Sequence, residues 1–337
     1  LPCLYEGWLG AYGVNLFFMI SGFIMVVTSW NSFGKSGATW AFLEKRLKRI
    51  VPLYWFVTTL AVVGIFFVPS MLNVSVLEPS YVLASYLFWP MERMNGLVRP
   101  IANLGWTLNL EMFFYAVFAA ALFFGRVRGL LLAVGFLLGL VAMHGAGEFA
   151  ANGPLASIPL NFWADPIILN FIMGIGVGVL YMKDVRTKGW ENLALLAIAA
   201  ASLWGVQYDS DILLAFPENH VVPRFTTALP MLPILIAGAL GPQLDVSKLW
   251  GRGALLLGDA SYSLYLIHPF ALRPFKAIWV KFVGTDLPLW SFSLACVVLA
   301  LVVGLGCYVL AERTFTNYFS RKRSPTPKPA IADFGSP

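Results

Sequence analysis

The sequence predicts an all-α fold, a polytopic membrane bundle of about nine transmembrane helices, on three observations. Hydrophobic residues make up 59% of the 337 positions and charged residues only 12%, against about a quarter charged in soluble domains. Apolar runs near the length that crosses a bilayer as a helix recur along the chain. Lys and Arg fall mostly into alternate connections between those runs, as positive-inside sorting requires.

The runs read as helices cover residues 13–30, 47–68, 104–124, 129–144, 165–182, 192–206, 224–240, 259–282 and 289–311. Several contain Gly or Pro, which membrane helices tolerate when neighbours re-satisfy the backbone. Residues 1–320 read as a single membrane-embedded domain, with no sheet pattern anywhere. The Pro-rich, charged segment 321–337 is expected to be a disordered cytoplasmic tail.

The loops 31–46, 125–128, 183–191 and 241–253, with adjoining helix ends and the tail, hold most of the 23 Lys and Arg residues. The exceptions are Arg93, Arg99, Arg224, Arg273, Lys276 and Lys281. This bias puts the C-terminus in the cytoplasm and Leu1 outside. A multispan chain starting outside is expected to have one more helix upstream. The same bias accounts for the net charge of +6, so no nucleic acid partner is called for. Cys296 and Cys307 lie on one predicted helix, roughly 16 Å apart along its axis, too far to bridge. They read as packing residues. The longer outer loops, 69–103, 145–164 and 207–223, are long enough to cover an extracytoplasmic cavity.

Four stretches carry candidate chemistry. LGWTLNLEMFFYAVF, residues 104–118, places Glu111 inside an apolar run, at a cost of roughly 2.5–3.5 kcal/mol on insertion scales. Glu111 must therefore face a protein or water-lined interior, either as a clamp between helices or as a functional carboxylate. Trp106, Thr107 and Asn109 add polarity to the same turns. In NLFFMISGF, Ser21-Gly22 is a small-residue step that another backbone can approach. Ser21 lies roughly 13 Å in from Tyr12 and Glu111 roughly 10 Å in from Leu104, so the two can share a layer.

EKRLKRIVPLYW sets Arg46 and Arg49 three residues apart, on one helical face. The planar guanidinium suits phosphate, although the pair also fits a plain positive-inside anchor. LGDASYSLYLIHP offers Asp259 as an N-cap, with Ser261, Tyr265 and His268 spaced along one stripe. A helix starting at Asp259 would put His268 roughly 13 Å in, near mid-membrane. Metal and nucleotide signatures are absent from the sequence: no HExxH, no CxxC, and no GxGxxG after a strand. The GxSxG nucleophile elbow is absent too.

In this order GVNLFFMISGF, KRLKRIVPLYW, GWTLNLEMFFY, GDASYSLYLIHP and a closing Glu312-Arg313 resemble the acyltransferase-3 family of integral membrane acyltransferases. The form of the third motif is most similar to the branch that O-acetylates bacterial exopolysaccharides. The resemblance implies ten helices in the complete fold and an inner-membrane enzyme. It also implies acyl-CoA, such as acetyl-CoA, as a cytoplasmic donor, and a carbohydrate hydroxyl on the outer side as acceptor. It matches Arg46 and Arg49 to a motif thought to hold the coenzyme's phosphates. Ser21, Glu111, Tyr262 and His268 match motif positions around the reaction centre. The family's catalytic His, about ten residues after an Arg in its first helix, has no counterpart here. The expectation is a chain lacking that helix, with Glu111 orienting a missing base and His268 or Tyr262 bonding the acyl oxygen or acceptor. Two rival readings stand beside it: a secondary transporter or flippase for a lipid-linked sugar, and an inactive remnant of the transferase. A transporter would be expected to show two related halves, and no such repeat is visible.

Overall fold

The computed structural model describes residues 8–67, 78–93, 96–208, 228–242, 245, 247–284 and 288–315. The tail 321–337 and residues 209–223 of the outer loop 207–223 lie outside the described residues, while 207 and 208 belong to a helix. The elements are α1 (Trp8–Ser29), α2 (Ala38–Phe67), α3 (Pro79–Tyr86), α4 (Gly105–Ala121) and α5 (Arg126–Gly145). There follow α6 (Ile158–Trp163), α7 (Ile168–Met182), α8 (Gly189–Tyr208), α9 (Met231–Leu240), α10 (Leu249–Phe282) and α11 (Leu289–Cys307). A π-helical turn, Tyr308–Glu312, continues α11. Among the described residues the only β pairing is an isolated bridge between Glu92 and Val98.

Among the described residues four helices are long and apolar enough to cross a membrane, over Tyr12–Ser29, Ala38–Ile65, Arg126–Gly145 and Trp290–Phe315. Ile168–Met182, Gly189–Leu203 and Met231–Leu240 are shorter apolar helices. The architecture is therefore an all-helical membrane bundle.

Packing divides the described residues into two units, one within 1–47 and 54–259 and the other within 48–53 and 260–315. In the first unit α1 and α7 lie backbone to backbone. A Cβ on Gly22 would stand 2.2 Å from the Phe171 carbonyl oxygen, and one on Gly174 would stand 1.9 Å from that of Met19. Only small residues permit this approach, as the Ser21-Gly22 step led one to expect. Beside it Phe18 meets Phe114 edge-on at 5.5 Å and Phe114 stacks on Phe171 at 4.4 Å, which ties α4 to both helices.

Polar contacts at the helix ends fix the direction of travel. Gly34 N–H donates to the Leu122 carbonyl at 2.9 Å, and Arg126 Nε donates to the Trp30 carbonyl at 2.9 Å. Thr39 Oγ1 donates to the Ala119 carbonyl at 3.2 Å. Thr187 N–H donates to the Leu240 carbonyl at 2.9 Å and Asn192 Nδ2 to that of Ala237 at 3.3 Å. So α1, α4, α7 and α9 end, and α2, α5 and α8 begin, at one end of this unit. Lys35, Arg126, Arg128, Lys183, Arg186 and Lys188 lie in or beside those connections.

The connection leading into α4 contains α3 and is itself folded. Tyr54 Oη donates to the Ser85 carbonyl at 2.8 Å, and Ile101 N–H donates to Ser85 Oγ at 3.1 Å. Arg93 donates to Tyr81 Oη and to the carbonyls of Arg99 and Pro100. Burial pushes the Tyr81 hydroxyl above the usual tyrosine range, against the lowering effect of Arg93.

In the second unit the α10 segment packs on α11, where a Cβ on Gly304 would stand 2.4 Å from Leu264. Leu272, Phe292 and Cys296 form its apolar cluster, with Phe275 and Trp279 against it. Cys296 and Cys307 are both free thiols on α11.

Two sequence expectations are corrected. Asp259 is no N-cap: α10 begins at Leu249, and Asp259 is an exposed residue within it. The depth assigned to His268 from an Asp259 start falls with it. The stripe of Ser261, Tyr265 and His268 faces inward only in part, with Tyr265 and His268 half-buried. Ser261 is exposed, whereas Tyr262, Ser263 and Leu266 are buried. Spacing alone selects a stripe without choosing which way it faces, and side-chain polarity favoured the neighbouring one. A smaller shift concerns α2, which begins at Ala38 rather than near residue 47. Arg46 is therefore two turns inside a helix.

Candidate functional site

Among the described residues each unit holds a buried carboxylate bonded to a serine. In the first, Ser21 Oγ donates to Glu111 Oε1 at 2.6 Å, joining α1 to α4, with Ser21 8% and Glu111 4% exposed. The distance is within the range of an O–H···O hydrogen bond. Glu111 thus lies in the protein interior that its insertion cost requires, and the layer it can share with Ser21 becomes a direct contact. The α1–α7 packing and the Phe18–Phe114 contact hold both helices, so the carboxylate sits on a rigid support.

A second polar pair in this unit was missed. Asn170 Nδ2 donates to Asn15 Oδ1 at 2.8 Å between α7 and α1, with both side chains 2% exposed. The signal was available, since each asparagine interrupts an apolar run as Glu111 does. Asn109 is buried on α4, and its Oδ1 has no hydrogen-bond partner among the described residues.

The arginine pair is held unequally. Arg46 Nη2 donates to Thr28 Oγ1 at 3.0 Å, and its guanidinium lies over Phe42 and Tyr115, 5.4 and 5.7 Å from the ring centroids. Cation–π contacts of this kind are worth about 0.5–2 kcal/mol, enough to orient the planar group. Arg49, on the same helix, is exposed.

In the second unit Tyr262 Oη donates to the Ile50 carbonyl at 2.8 Å, so α10 is bonded to the backbone of α2 beside Arg49. His268 is half-buried, with Nδ1 3.1 Å from the Leu264 carbonyl. A carbonyl oxygen only accepts, so Nδ1 carries the hydrogen, and in the neutral ring Nε2 holds the lone pair. A neutral imidazole fixed in this tautomer can take a proton at Nε2. Ser263 Oγ donates to Glu312 Oε2, a second buried carboxylate, on the π-helical turn. Glu312 stood out in the sequence only as a closing motif, and nothing there pointed to Ser263.

The Ser21 contact makes a direct prediction. Ser21→Ala removes one hydrogen bond to a charged group, so turnover should fall about tenfold with membrane protein levels unchanged. Rate per molecule, normalised by immunoblot of membranes, checks it. Unchanged turnover would make Ser21 a packing residue.

Long apolar helices with ionisable side chains held among them are the features of a membrane protein. The chain belongs to the Acyltransferase domain family, whose model matches residues 5–309. It is an acyltransferase. It is 34% identical over 308 residues to the exopolysaccharide production protein ExoZ of Rhizobium meliloti strain 1021, covering 90% of this chain and 89% of that one. It is 26% identical over 358 residues to the acyltransferase MdmB of Streptomyces mycarofaciens, covering 96% and 85% of the two chains. It is also 26% identical over 288 residues to nodulation protein 10 of Rhizobium leguminosarum bv. viciae, at 80% and 74% coverage. No solved structure matches.

Proposed function

We propose that this protein transfers an acyl group, acetyl in the simplest case, from cytoplasmic acyl-CoA to a sugar hydroxyl of a cell-surface or exopolysaccharide. The observation that carries the reading is the buried Glu111 carboxylate, held by Ser21 between two apolar helices. The likeness to an exopolysaccharide production protein supports the acceptor class. In this reading the chain crosses the inner membrane nine times with its C-terminus in the cytoplasm. The basic connections gathered at one end of the first unit are then its cytoplasmic side.

The acceptor oxygen attacks the thioester carbonyl; a C–O bond forms, the C–S bond breaks, and coenzyme A leaves as the thiolate. A sugar hydroxyl is weakly acidic, so a positioned base contributes typically 10²–10⁴-fold. We assign Glu111 to the acceptor hydroxyl, whose proton it accepts, with Ser21 fixing the carboxylate. Within the second unit, Nε2 of His268 is a separate candidate proton acceptor. Tyr262 braces α10 on α2, and Arg46 and Arg49 bind the coenzyme's phosphates, Arg46 pre-oriented on its aromatic faces and Arg49 reaching into solvent.

The test is transfer by the purified protein in detergent or nanodiscs. Acetyl-labelled coenzyme A thioester and a polysaccharide repeat unit should give a labelled, base-labile glycan ester. Arg49→Ala should raise the KM for the thioester about tenfold, the loss of a charge-assisted contact, and leave the acceptor KM unchanged. Movement of a lipid-linked sugar across vesicles without thioester dependence would replace this reading with a transporter.

A further inference from the structure

The second buried carboxylate has no part in the chemistry above, yet it lies at a local irregularity of the fold. Glu312 is 6% exposed and Ser263, which donates to it, is fully buried. An ionisable group so placed is costly and marks a structural or functional task. Glu312 closes the π-helical turn Tyr308–Glu312, after which the helix resumes. Such a turn accommodates one extra residue and rotates the helix beyond it by roughly 100° relative to an unbroken one. π-turns are rare and recur at functional sites.

Ser263 is followed by Leu264, whose side chain and backbone lie against Gly304 of α11. It is preceded by Tyr262, whose hydroxyl is bonded to the Ile50 carbonyl of α2. Three successive residues of α10 therefore make three different contacts: Tyr262 to α2, Ser263 to the π-turn, and Leu264 to the glycine of α11. Two of the three fasten α10 to α11. Their common effect is to fix the rotation of α10, and with it the direction of Tyr262 and of His268.

We propose that the Ser263–Glu312 pair is a positioning device, clamping α10 on α11 so that Tyr262 engages the α2 backbone next to Arg49. Its functional consequence rests on the acyltransferase reading above, in which that part of α2 binds the donor. Glu312 touches neither donor nor acceptor in this scheme; it acts through Ser263 and α10. A carboxylate serves because it accepts the serine hydrogen bond strongly enough to hold one rotation of the helix.

The experiment compares Glu312→Ala, Glu312→Gln and Ser263→Ala in full-length protein in nanodiscs. The amide of Glu312→Gln keeps an oxygen that accepts from Ser263, so this variant should stay within about twofold of the native enzyme. Glu312→Ala and Ser263→Ala should each raise the donor KM about tenfold, the scale of a lost hydrogen bond to a charged group, with the acceptor KM unmoved. A second readout needs no turnover: a benzophenone side chain placed at Tyr262 and photo-crosslinked, with the captured peptide identified by mass spectrometry. In the otherwise native background and with Glu312→Gln it should capture the segment around Ile50. With Glu312→Ala that product should fall severalfold.

If crosslinking shows this pattern while no variant or native protein uses a thioester, the clamp stands and the acyltransfer reading fails. If Glu312→Gln behaves like Glu312→Ala, Glu312 carries a proton rather than a hydrogen bond, and the proposal is overturned. Unchanged KM and unchanged crosslinks in Glu312→Ala overturn it as well.

Discussion

Glu111→Ala is expected to reduce acyl transfer at least 10²-fold, the low end of what a positioned base supplies, with the protein still inserted at native levels. A carboxylate among apolar helices is expensive, so removing it leaves the bundle at least as easy to assemble in the membrane. The groups left behind are modest: Ser21 loses its acceptor, and a serine in a helix can turn its hydroxyl to a carbonyl of its own preceding turn. A loss of activity without a loss of protein therefore separates function from folding. Glu111→Gln sharpens the test, since the amide oxygen still accepts from Ser21 but is no base. If Glu111→Gln is as inactive as Glu111→Ala, the carboxylate takes the proton. If the amide restores transfer to within about threefold, well short of a base's contribution, Glu111 is a hydrogen-bonding support and the base lies elsewhere, with His268 the next residue to change.

Gly174→Ala should be the most damaging single methyl group in the first unit. The added Cβ would meet the Met19 carbonyl oxygen at 1.9 Å, far inside van der Waals contact, and backbone on both sides cannot swing away as a side chain can. The helices must part, which loosens the neighbouring Gly22–Phe171 approach and strains the support of the Ser21–Glu111 bond. Overpacking typically costs about 1–3 kcal/mol, and two rigid backbones put this case at or above the upper end. Gly176 on the same helix is the control: nothing lies within 4 Å of a Cβ there. Gly176→Ala should be neutral or stabilising by up to about 1 kcal/mol through helix propensity. Thermal unfolding in nanodiscs, together with retained monodispersity, reads both. Equal behaviour of the two variants would mean that α1 and α7 adjust freely.

Much of this architecture was legible in the linear chain, because the bilayer imposes simple rules on it. A long apolar run must be a helix, since no water is present to satisfy an open backbone. A carboxylate in such a run must face inward, which identified Glu111 from one residue's cost. The small-residue step at Ser21-Gly22 likewise foretold a close backbone approach, because only the absence of a Cβ permits one. The helix starts were harder. α2 and α10 each begin nine or ten residues before the predicted span, because polar turns extend a helix without adding to its apolar run.

The sequence by itself determined the class of fold, the alternation of basic connections, the family, and the residue types from which a site can be made. Tertiary structure decided which of those residues meet. It joined Ser21 to Glu111 and Asn15 to Asn170, seated Arg46 on Phe42 and Tyr115, turned Ser261 outward and Tyr262 inward, and brought Ser263 to the carboxylate of Glu312. The physical reason is that insertion cost is a property of each segment alone, whereas the rotation of one helix against another is set by packing. That packing depends on a few glycines and one π-turn whose effect emerges only when the partner helix is present.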